Sequence, residues 1–218
     1  MKTICLFDLD GTLTDSREGI TKSARYALEA FGVAVPSLDS LGHFLGPPLH
    51  DSFRHTYGFS EADAHAAVAK YREYYAQTGM FENAVYPGVM AMLAALREAG
   101  VVVGMATSKA EMYAKRIAGH FGLAPNFAVI AGSEMDGTRS HKREVIRHAL
   151  AQLGASPGES TRVLMVGDRK FDILGAQETG LESVAVTWGY APEGELEAAN
   201  PTFLAHAPAD IGRLIMQI

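Results

Sequence analysis

Cysteine is almost absent from this sequence of 218 residues, which contains only Cys5. A single cysteine excludes a disulfide bond within the chain and is compatible with a reducing compartment. Long apolar runs are also lacking. The run from Thr3 to Phe7 ends at Asp8, so it is too short for a secretion signal or a membrane-spanning helix. We therefore expect a cytoplasmic protein that does not enter a membrane.

Positive charge is in the minority. Lysine and arginine number 19 and aspartate and glutamate 25, which gives a formal net charge of -6 and a sequence pI of about 5.7. A negative chain has no general attraction for nucleic-acid polymers or anionic membranes. The composition, 48% hydrophobic and 20% charged, is that of a globular protein. The length fits one large domain, or one domain that carries a smaller insert, and we expect a monomer or a homodimer.

Short apolar runs recur along the chain, and such runs are typical of strands buried on both faces of a parallel sheet. The first is Ile4 to Phe7, and the others predict strands over residues 101–106, 127–131, 162–167, 183–187 and, more weakly, 202–205.

Helical patterns lie between these runs. Apolar residues share one helix face over 89–96, 113–121 and 145–153, and glycines at Gly100 and Gly154 predict the ends of the first and third helices. Strands that alternate with helices predict an α/β fold with a doubly wound parallel sheet.

Residues 16–84 interrupt this alternation. The segment contains a helical stripe over 20–31, a Gly46-Pro47-Pro48 turn and an alanine-rich helix over 62–75, but no strand-like run. We therefore predict a core domain of residues 1–15 and 85–218, and a small helical cap domain of residues 16–84 inserted after the first strand.

The acidic loop Asp8-Leu9-Asp10-Gly11-Thr12 follows the first predicted strand. In doubly wound sheets, ligands bind at the carboxyl ends of strands. Two carboxylates this close repel each other and need a cation or a shared proton, and hard oxygen ligands around a compact site favour Mg²⁺. Gly11 permits a tight turn, so the backbone N–H groups at Gly11 and Thr12 are candidates for binding phosphate. The alternative is that both aspartates are only turn formers or helix caps.

Three other predicted strands are followed by complementary chemistry. Asp168 and Asp172 add two carboxylates, Thr107 and Ser108 offer hydroxyl groups for phosphate oxygens, and Lys142 opens a helix with a positive charge. Each residue alone has an ordinary structural explanation as a cap or a solvated side chain. Their recurrence at four strand ends of one sheet favours a functional site.

Together these residues resemble the motifs of the haloacid dehalogenase superfamily. The segment 8–16 is similar to its first motif, Asp-x-Asp-Gly-Thr-Leu-x-Asp-Ser, and Thr107 and Lys142 match the second and third. Asp168 and Asp172 match the fourth motif, Gly-Asp-x-x-x-Asp. The resemblance covers essentially the whole chain, and the helical insert is similar to the cap of the phosphoglycolate phosphatase-like branch.

A closer resemblance is to a bacterial subgroup whose members are named phosphoglycolate phosphatases or 5′-nucleotidases. It rests on residues 44–49, 167–175 and 187–190. The third motif departs from the pattern, because many relatives have Lys-Pro where this chain has Lys142-Arg143. Other basic residues therefore stay open for that role: Lys109, Arg143 and Lys170.

The resemblance implies a Mg²⁺-dependent phosphatase acting on a small phosphorylated metabolite. Asp8 is implied as the nucleophile that forms an aspartyl-phosphate, and Asp10 as the general acid and base. Mg²⁺ is implied to bind the Asp8 side chain, the Asp10 carbonyl oxygen and Asp168, with Asp172 supporting them. The remaining motif residues are implied to neutralise the phosphoryl oxygens: Thr107, Ser108 and Lys142.

Asp10 separates the reactions of the superfamily, because dehalogenases and phosphonate hydrolases have no leaving alkoxide to protonate. A phosphomutase would keep this residue and stays an alternative. Two non-catalytic alternatives are a phosphoaccepting signalling module, although receivers are shorter and lack an insert, and a silent binding protein of the same fold.

Substrate choice is expected to depend on the insert. The candidate substrate contacts are Arg25, the turn from Gly46 and Pro47 to Leu49, and Lys109. Trp188 and Tyr190 are interpreted as packing residues. The motifs do not distinguish phosphoglycolate from a nucleoside 5′-monophosphate.

Overall fold

The computed structural model describes residues 2–158 and 160–216. Its strands are β1 (Lys2–Phe7), β2 (Thr14–Asp15), β3 (Ala84–Val85), β4 (Val102–Ala110), β5 (Val129–Ser133), β6 (Thr161–Gly167), β7 (Glu182–Val186) and β8 (Phe203–Ala205). Its α-helices are α1 (Arg17–Ala30), α2 (Leu49–Asp51), α3 (Glu61–Tyr74), α4 (Val89–Glu98), α5 (Glu111–His120), α6 (Lys142–Gln152), α7 (Lys170–Glu178), α8 (Glu195–Ala198) and α9 (Pro208–Met216).

Six strands form one parallel sheet in the order β5-β4-β1-β6-β7-β8. The chain fills the sheet outward from β1 in one direction through β4 and β5, and then in the other through β6, β7 and β8. The strand order therefore reverses beside β1, which is where ligands bind in such sheets. The predicted α/β fold with a doubly wound parallel sheet is confirmed.

The predicted strands are confirmed to within about two residues, with one exception. The exception is the strand predicted over residues 101–106. In the structure β4 continues beyond Ala106 to Ala110, which pairs with Ser133 of β5. The pairing shifts register between Ala106 and Ala110. Thr107 and Ser108 therefore lie within the irregular end of β4 and do not follow the strand. The apolar pattern did not indicate this extension because both residues are polar.

The core of the sheet is apolar on the face that α6 covers. Ile4 and Leu6 of β1 pack there with Val145 and Ile146 of α6. Burying side chains of this kind stabilises a fold by about 1.5–3 kcal/mol each. Cys5 is buried between Ile4 and Leu6 on β1, and burial raises the pKa of its thiol, so it is a small core residue that disfavours the reactive thiolate.

The starts of two helices are fixed by side chains that cap backbone N–H groups. At α6, the Glu144 carboxylate accepts a hydrogen bond from the His141 N–H group at 3.4 Å. At α7, Asp172 accepts one from the Arg169 N–H group at 3.1 Å. A carboxylate at this third helical position also interacts favourably with the helix dipole. These caps fix the first turns of the two helices that carry Lys142 and Asp172.

The chain divides into two compact units, one of residues up to Thr14 and from Val85 onward, and one of Asp15–Ala84. The second unit contains α1, α2 and α3, and it includes an aromatic cluster in which the ring of Phe53 contacts those of Phe44 and Phe59. The roles of the two units as catalytic core and cap stay predictions. Among the described residues, no helix combines the length and the apolar character needed to cross a bilayer.

Candidate active site

The carboxyl ends of β1, β4 and β6 bring the predicted site residues together. Asp8 follows β1 directly and Asp168 follows β6, while Thr107 lies near the end of β4. Because β1 lies between β4 and β6, these side chains meet at one edge of the sheet. Lys142 reaches the same edge from the first turn of α6.

Lys142 is the centre of a buried ionic network. Its Nζ atom lies 3.0 Å from Oδ1 of Asp8 and 2.7 Å from Oδ1 of Asp172, and it donates a hydrogen bond to the carbonyl oxygen of Ala106 at 3.0 Å. Burial disfavours the charged lysine, but the carboxylates of Asp172 and Asp8 outweigh it, so the pKa of Lys142 is raised above its ordinary value. The lysine is therefore a cation held beside the predicted nucleophile.

Asp168 is completely buried and is held by two hydrogen bonds. The Thr12 hydroxyl donates to Oδ1 at 3.2 Å, and the Tyr190 N–H group donates to Oδ2 at 2.8 Å. Burial, followed by the nearby carboxylates of Asp172 and Asp8, raises the pKa of Asp168 well above its ordinary value. A buried carboxylate with such neighbours favours either a proton or a bound cation.

Asp172 performs two tasks at the start of α7. Its Oδ2 atom caps the helix through the Arg169 N–H group, while its Oδ1 atom contacts Lys142. Burial raises the pKa of Asp172 although the Lys142 cation opposes the shift. The capping role weighed in the sequence and the predicted site role are therefore filled by two oxygen atoms of one side chain.

Three of these carboxylates could hold a metal ion. One oxygen atom each from Asp8, Asp168 and Asp172 lies within 4.8 Å of the others. An all-oxygen donor set of this kind suits a hard cation such as Mg²⁺. The repulsion that raises the pKa of Asp168 is what such a cation would relieve, so the residues fit the predicted metal.

Asp10 forms an ion pair that involves a predicted substrate contact. The Nζ atom of Lys109 lies 2.9 Å from Oδ2 of Asp10, and the Lys109 side chain is only 8% exposed. The other oxygen, Oδ1 of Asp10, is buried and has no hydrogen-bond partner among the described residues. Lys109 thus lies beside the predicted acid and base, and contact with the substrate stays a prediction.

The predicted phosphate-binding groups divide into two sets. The hydroxyl of Thr107 is buried, accepts a hydrogen bond from the Lys109 N–H group at 3.2 Å, and lies at the sheet edge with Ser108. The N–H group of Gly11 donates to the Thr14 carbonyl oxygen at 2.8 Å, and that of Thr12 donates to Leu9 at 3.3 Å. Gly11 and Thr12 are therefore bonded within the turn, and phosphate binding by them stays a prediction.

Close backbone packing explains two glycines around Asp168. Gly11 has a φ of 77°, which favours glycine, and a Cβ atom there would collide with the Asp168 carboxylate. A Cβ atom at Gly189 would lie 2.5 Å from the Gly11 carbonyl oxygen and would also meet Asp168. The acidic loop and the segment after β7 thus enclose this carboxylate from two sides.

The segment after β7 has a role at the site that its residue types did not indicate. Trp188 and Tyr190 were interpreted as packing residues, but the Trp188 indole N–H group donates to the Thr12 carbonyl oxygen at 3.1 Å, and the Tyr190 N–H group holds Asp168. Arg169, next to Asp168, also pairs with Glu195 at 2.7 Å. One signal could have indicated this role: the segment follows the carboxyl end of β7, the strand adjacent to β6, and so lies near Asp168.

The candidate substrate contacts of the other unit lie in two places. Arg25 is on α1, with a side chain 45% exposed and a long ion pair to Glu29 at 4.0 Å. Gly46 is exposed and Pro47 is partly exposed, in the turn before α2. Substrate contact by these residues stays a prediction.

The chain belongs to the haloacid dehalogenase-like hydrolase family, whose model matches residues 5–186. The matched segment includes every predicted motif residue from Asp8 to Asp172. The chain's relatives include a protein of Agrobacterium fabrum named phosphoglycolate phosphatase, which is 30% identical over 99% of this chain and 95% of its own length. The family and these relatives show that the protein is a phosphatase.

The similar proteins carry related names. A protein of Pseudomonas aeruginosa named 5′-nucleotidase is 47% identical over 96% of this chain and 92% of its own length. A protein of Mycobacterium tuberculosis named tyrosine-protein kinase PtkA is 44% identical over 94% of this chain and 68% of its own. The crystal structure of a predicted phosphatase from Clostridium acetobutylicum has a TM-score of 0.95 and 41% identity over all of both chains.

Proposed function

We propose that this phosphatase is a Mg²⁺-dependent phosphomonoesterase that works through an aspartyl-phosphate on Asp8. The observation that carries the proposal is the ionic network in which Lys142 contacts Asp8 and Asp172. A nucleophilic carboxylate that approaches a phosphate dianion needs fixed positive charge beside it. Lys142, with its raised pKa, supplies that charge throughout the neutral pH range.

Asp8 attacks phosphorus in the first step. An Asp8 oxygen forms a bond to phosphorus while the bond from phosphorus to the ester oxygen breaks. Asp10 donates its proton to the departing alkoxide, which is the role that the family resemblance implies for it. In the second step, a water molecule loses its proton to Asp10 and attacks phosphorus. The bond to Asp8 then breaks and releases inorganic phosphate.

The residues that would hold Mg²⁺ are Asp8 and Asp168, with Asp172 of the same carboxylate cluster supporting them; the family resemblance adds the Asp10 carbonyl oxygen. The bound ion supplies positive charge for the phosphoryl oxygens. Lys142 neutralises the same oxygens from the side of α6, and Thr107 and Ser108 orient them with their hydroxyl groups.

The proposed substrate is a small phosphate monoester, either a nucleoside 5′-monophosphate or phosphoglycolate. The relative named 5′-nucleotidase, at 47% identity, supports the first. The sequence resemblance to the phosphoglycolate phosphatase-like branch supports the second. A phosphomutase reaction is a further alternative, since it would use the same two aspartates.

The proposal is tested by measuring phosphate release from nucleoside 5′-monophosphates, phosphoglycolate, sugar phosphates and pyrophosphate, with and without Mg²⁺. We expect Mg²⁺-dependent release that is lost in Asp8→Asn and strongly reduced in Asp10→Asn. Arg143→Gln is the matched control, because Arg143 is an exposed basic residue next to Lys142 in the sequence, and this variant should retain activity. Release that survives in Asp8→Asn would refute the nucleophile, and Mg²⁺-independent release would refute the cofactor.

A second candidate function is phosphoryl transfer to a protein tyrosine, favoured by the name of the relative at 44% identity. Incubation with γ-labelled ATP and a tyrosine-containing polypeptide separates the two functions. Label that appears in the polypeptide would support the kinase, whereas label found only in inorganic phosphate would support the phosphatase.

A further inference from the structure

Two histidines and a glutamate converge on one point within the unit of residues 15–84. His50 lies in α2, Glu61 is the first residue of α3, and His65 is one turn later on the same face of that helix. The Nε2 atom of His50 is 3.0 Å from Oε1 of Glu61, and the Nε2 atom of His65 is 3.2 Å from the same oxygen. One ligand atom from each residue lies within 4.8 Å of the other two.

These separations match a zinc site. In a tetrahedral site with ligand bonds of about 2.05 Å, neighbouring ligand atoms are about 3.3 Å apart. Two of the three separations, at 3.0 and 3.2 Å, are already close to that value. Imidazole nitrogen and carboxylate oxygen form a donor set that Zn²⁺ accepts in proteins, and three protein ligands leave a fourth position for water.

Two neighbouring side chains support the ligands from outside, as is usual around protein-bound metals. Oδ1 of Asp51 lies 3.7 Å from Nδ1 of His50, whereas the other ring nitrogen, Nε2, is the one paired with Glu61. The guanidinium of Arg54 donates to Oε2 of Glu61 and leaves Oε1 toward the histidines. The Arg54 guanidinium therefore fixes the orientation of the Glu61 carboxylate.

We propose that His50, Glu61 and His65 form a binding site for Zn²⁺ that is separate from the carboxylate cluster around Asp168. The bound ion joins α2 to the first turn of α3 across the intervening segment 52–60. Because the site exists only when these elements are folded, binding raises the melting temperature of the protein.

The test is titration of the full-length, untagged, metal-free protein with Zn²⁺ in excess Mg²⁺, which occupies the carboxylate cluster. We expect one Zn²⁺ per chain, a higher melting temperature, and shifts of the His50 and His65 ring nitrogens in NMR spectra. His65→Ala should abolish all three effects, and its side chain is 67% exposed, so the variant should fold. Asp51→Asn should weaken binding by about 10-fold.

His55→Ala is the matched control, because His55 is an exposed histidine of the same unit that lies outside the cluster. It should bind Zn²⁺ like the wild type. The proposal is refuted if His65→Ala and the wild type bind Zn²⁺ with equal affinity and stoichiometry, or if Zn²⁺ shifts neither the His50 nor the His65 ring. In that case, the three side chains form only an exposed hydrogen-bonded cluster.

Discussion

Replacing Lys142 by methionine should be the most costly single change at the active site. The lysine side chain is 3% exposed, and its Nζ atom faces Asp8, Asp172 and the Ala106 carbonyl oxygen. Methionine preserves much of the apolar stem but leaves two buried carboxylates facing each other without a cation. Removing one partner of a buried ion pair costs about 3–5 kcal/mol. We expect a loss of that size in the free energy of unfolding at pH 7.5 without Mg²⁺.

The loss should shrink as the pH falls. Burial raises the pKa values of Asp168 and Asp172 in the folded state, and loss of the Lys142 cation, which opposes this at Asp172, raises the pKa of Asp172 further. The folded variant then binds more protons than the unfolded chain, so its stability rises as the pH falls through those raised pKa values. Protonation removes the repulsion, and the difference from the wild type becomes smaller.

Urea denaturation at several pH values between 5 and 8, in the presence of EDTA, measures both effects. Lys115→Met is the control, since Lys115 is 57% exposed and pairs with Glu111 one helical turn away. Its loss should cost about 0.3–0.5 kcal/mol at every pH in this range. A cost below about 1 kcal/mol for Lys142→Met, or a cost independent of pH, would refute the buried network as the source of stability.

Three other predictions concern the surroundings of Asp168. Gly189→Ala should reduce Mg²⁺ affinity and activity, because the added Cβ atom would meet Asp168 and the Gly11 carbonyl oxygen. The control is Gly119→Ala in α5, where the added Cβ atom meets nothing within 4 Å and should stabilise the protein by about 0.5–1 kcal/mol. A Mg²⁺ titration of Gly189→Ala that matches the wild type would contradict this prediction. Mg²⁺ binding should release protons and weaken as the pH falls through the raised pKa of Asp168, because the proton competes with the ion. Calorimetry in buffers of different ionisation enthalpy measures the proton release. Equal binding heats in all of these buffers would exclude the release of protons. Trp188→Phe keeps an aromatic ring but loses the N–H donor to the Thr12 carbonyl oxygen. We expect it to lower the free energy of unfolding by about 0.5–1.5 kcal/mol, measured by denaturation, and to weaken Mg²⁺ binding, measured by titration. An unchanged Mg²⁺ affinity would show that this hydrogen bond does not position the site.

Much of the fold could be predicted from the sequence because buried parallel strands are continuous apolar runs. The end of β4 could not, since Thr107 and Ser108 have no apolar pattern and lie where the pairing with β5 is irregular, and β4 pairs with β5 again only at Ala110. The helix ends near Gly100 and Gly154 were predictable, because glycine is a local signal that needs no tertiary contact.

The site was predictable at the level of residue types but not of contacts. Asp8, Lys142 and Asp172 could be selected from strand ends, but their ionic network depends on β1, α6 and α7 meeting in space. The support of Asp168 by Tyr190 was not predictable from side chains, because the donor is a backbone N–H group. The pairing of Lys109 with Asp10 likewise follows from the irregular end of β4, which the sequence pattern did not indicate.

The most direct test of the central claim is the chemical identification of the phosphorylated residue. The wild-type enzyme is mixed with a labelled phosphate monoester that it hydrolyses, quenched in acid during turnover, and treated with borohydride, which reduces an aspartyl-phosphate to homoserine. We predict homoserine at position 8 and nowhere else, and no acid-stable label in Asp8→Asn. An enzyme that turns over without modification of Asp8, or with label at another residue, would contradict the account.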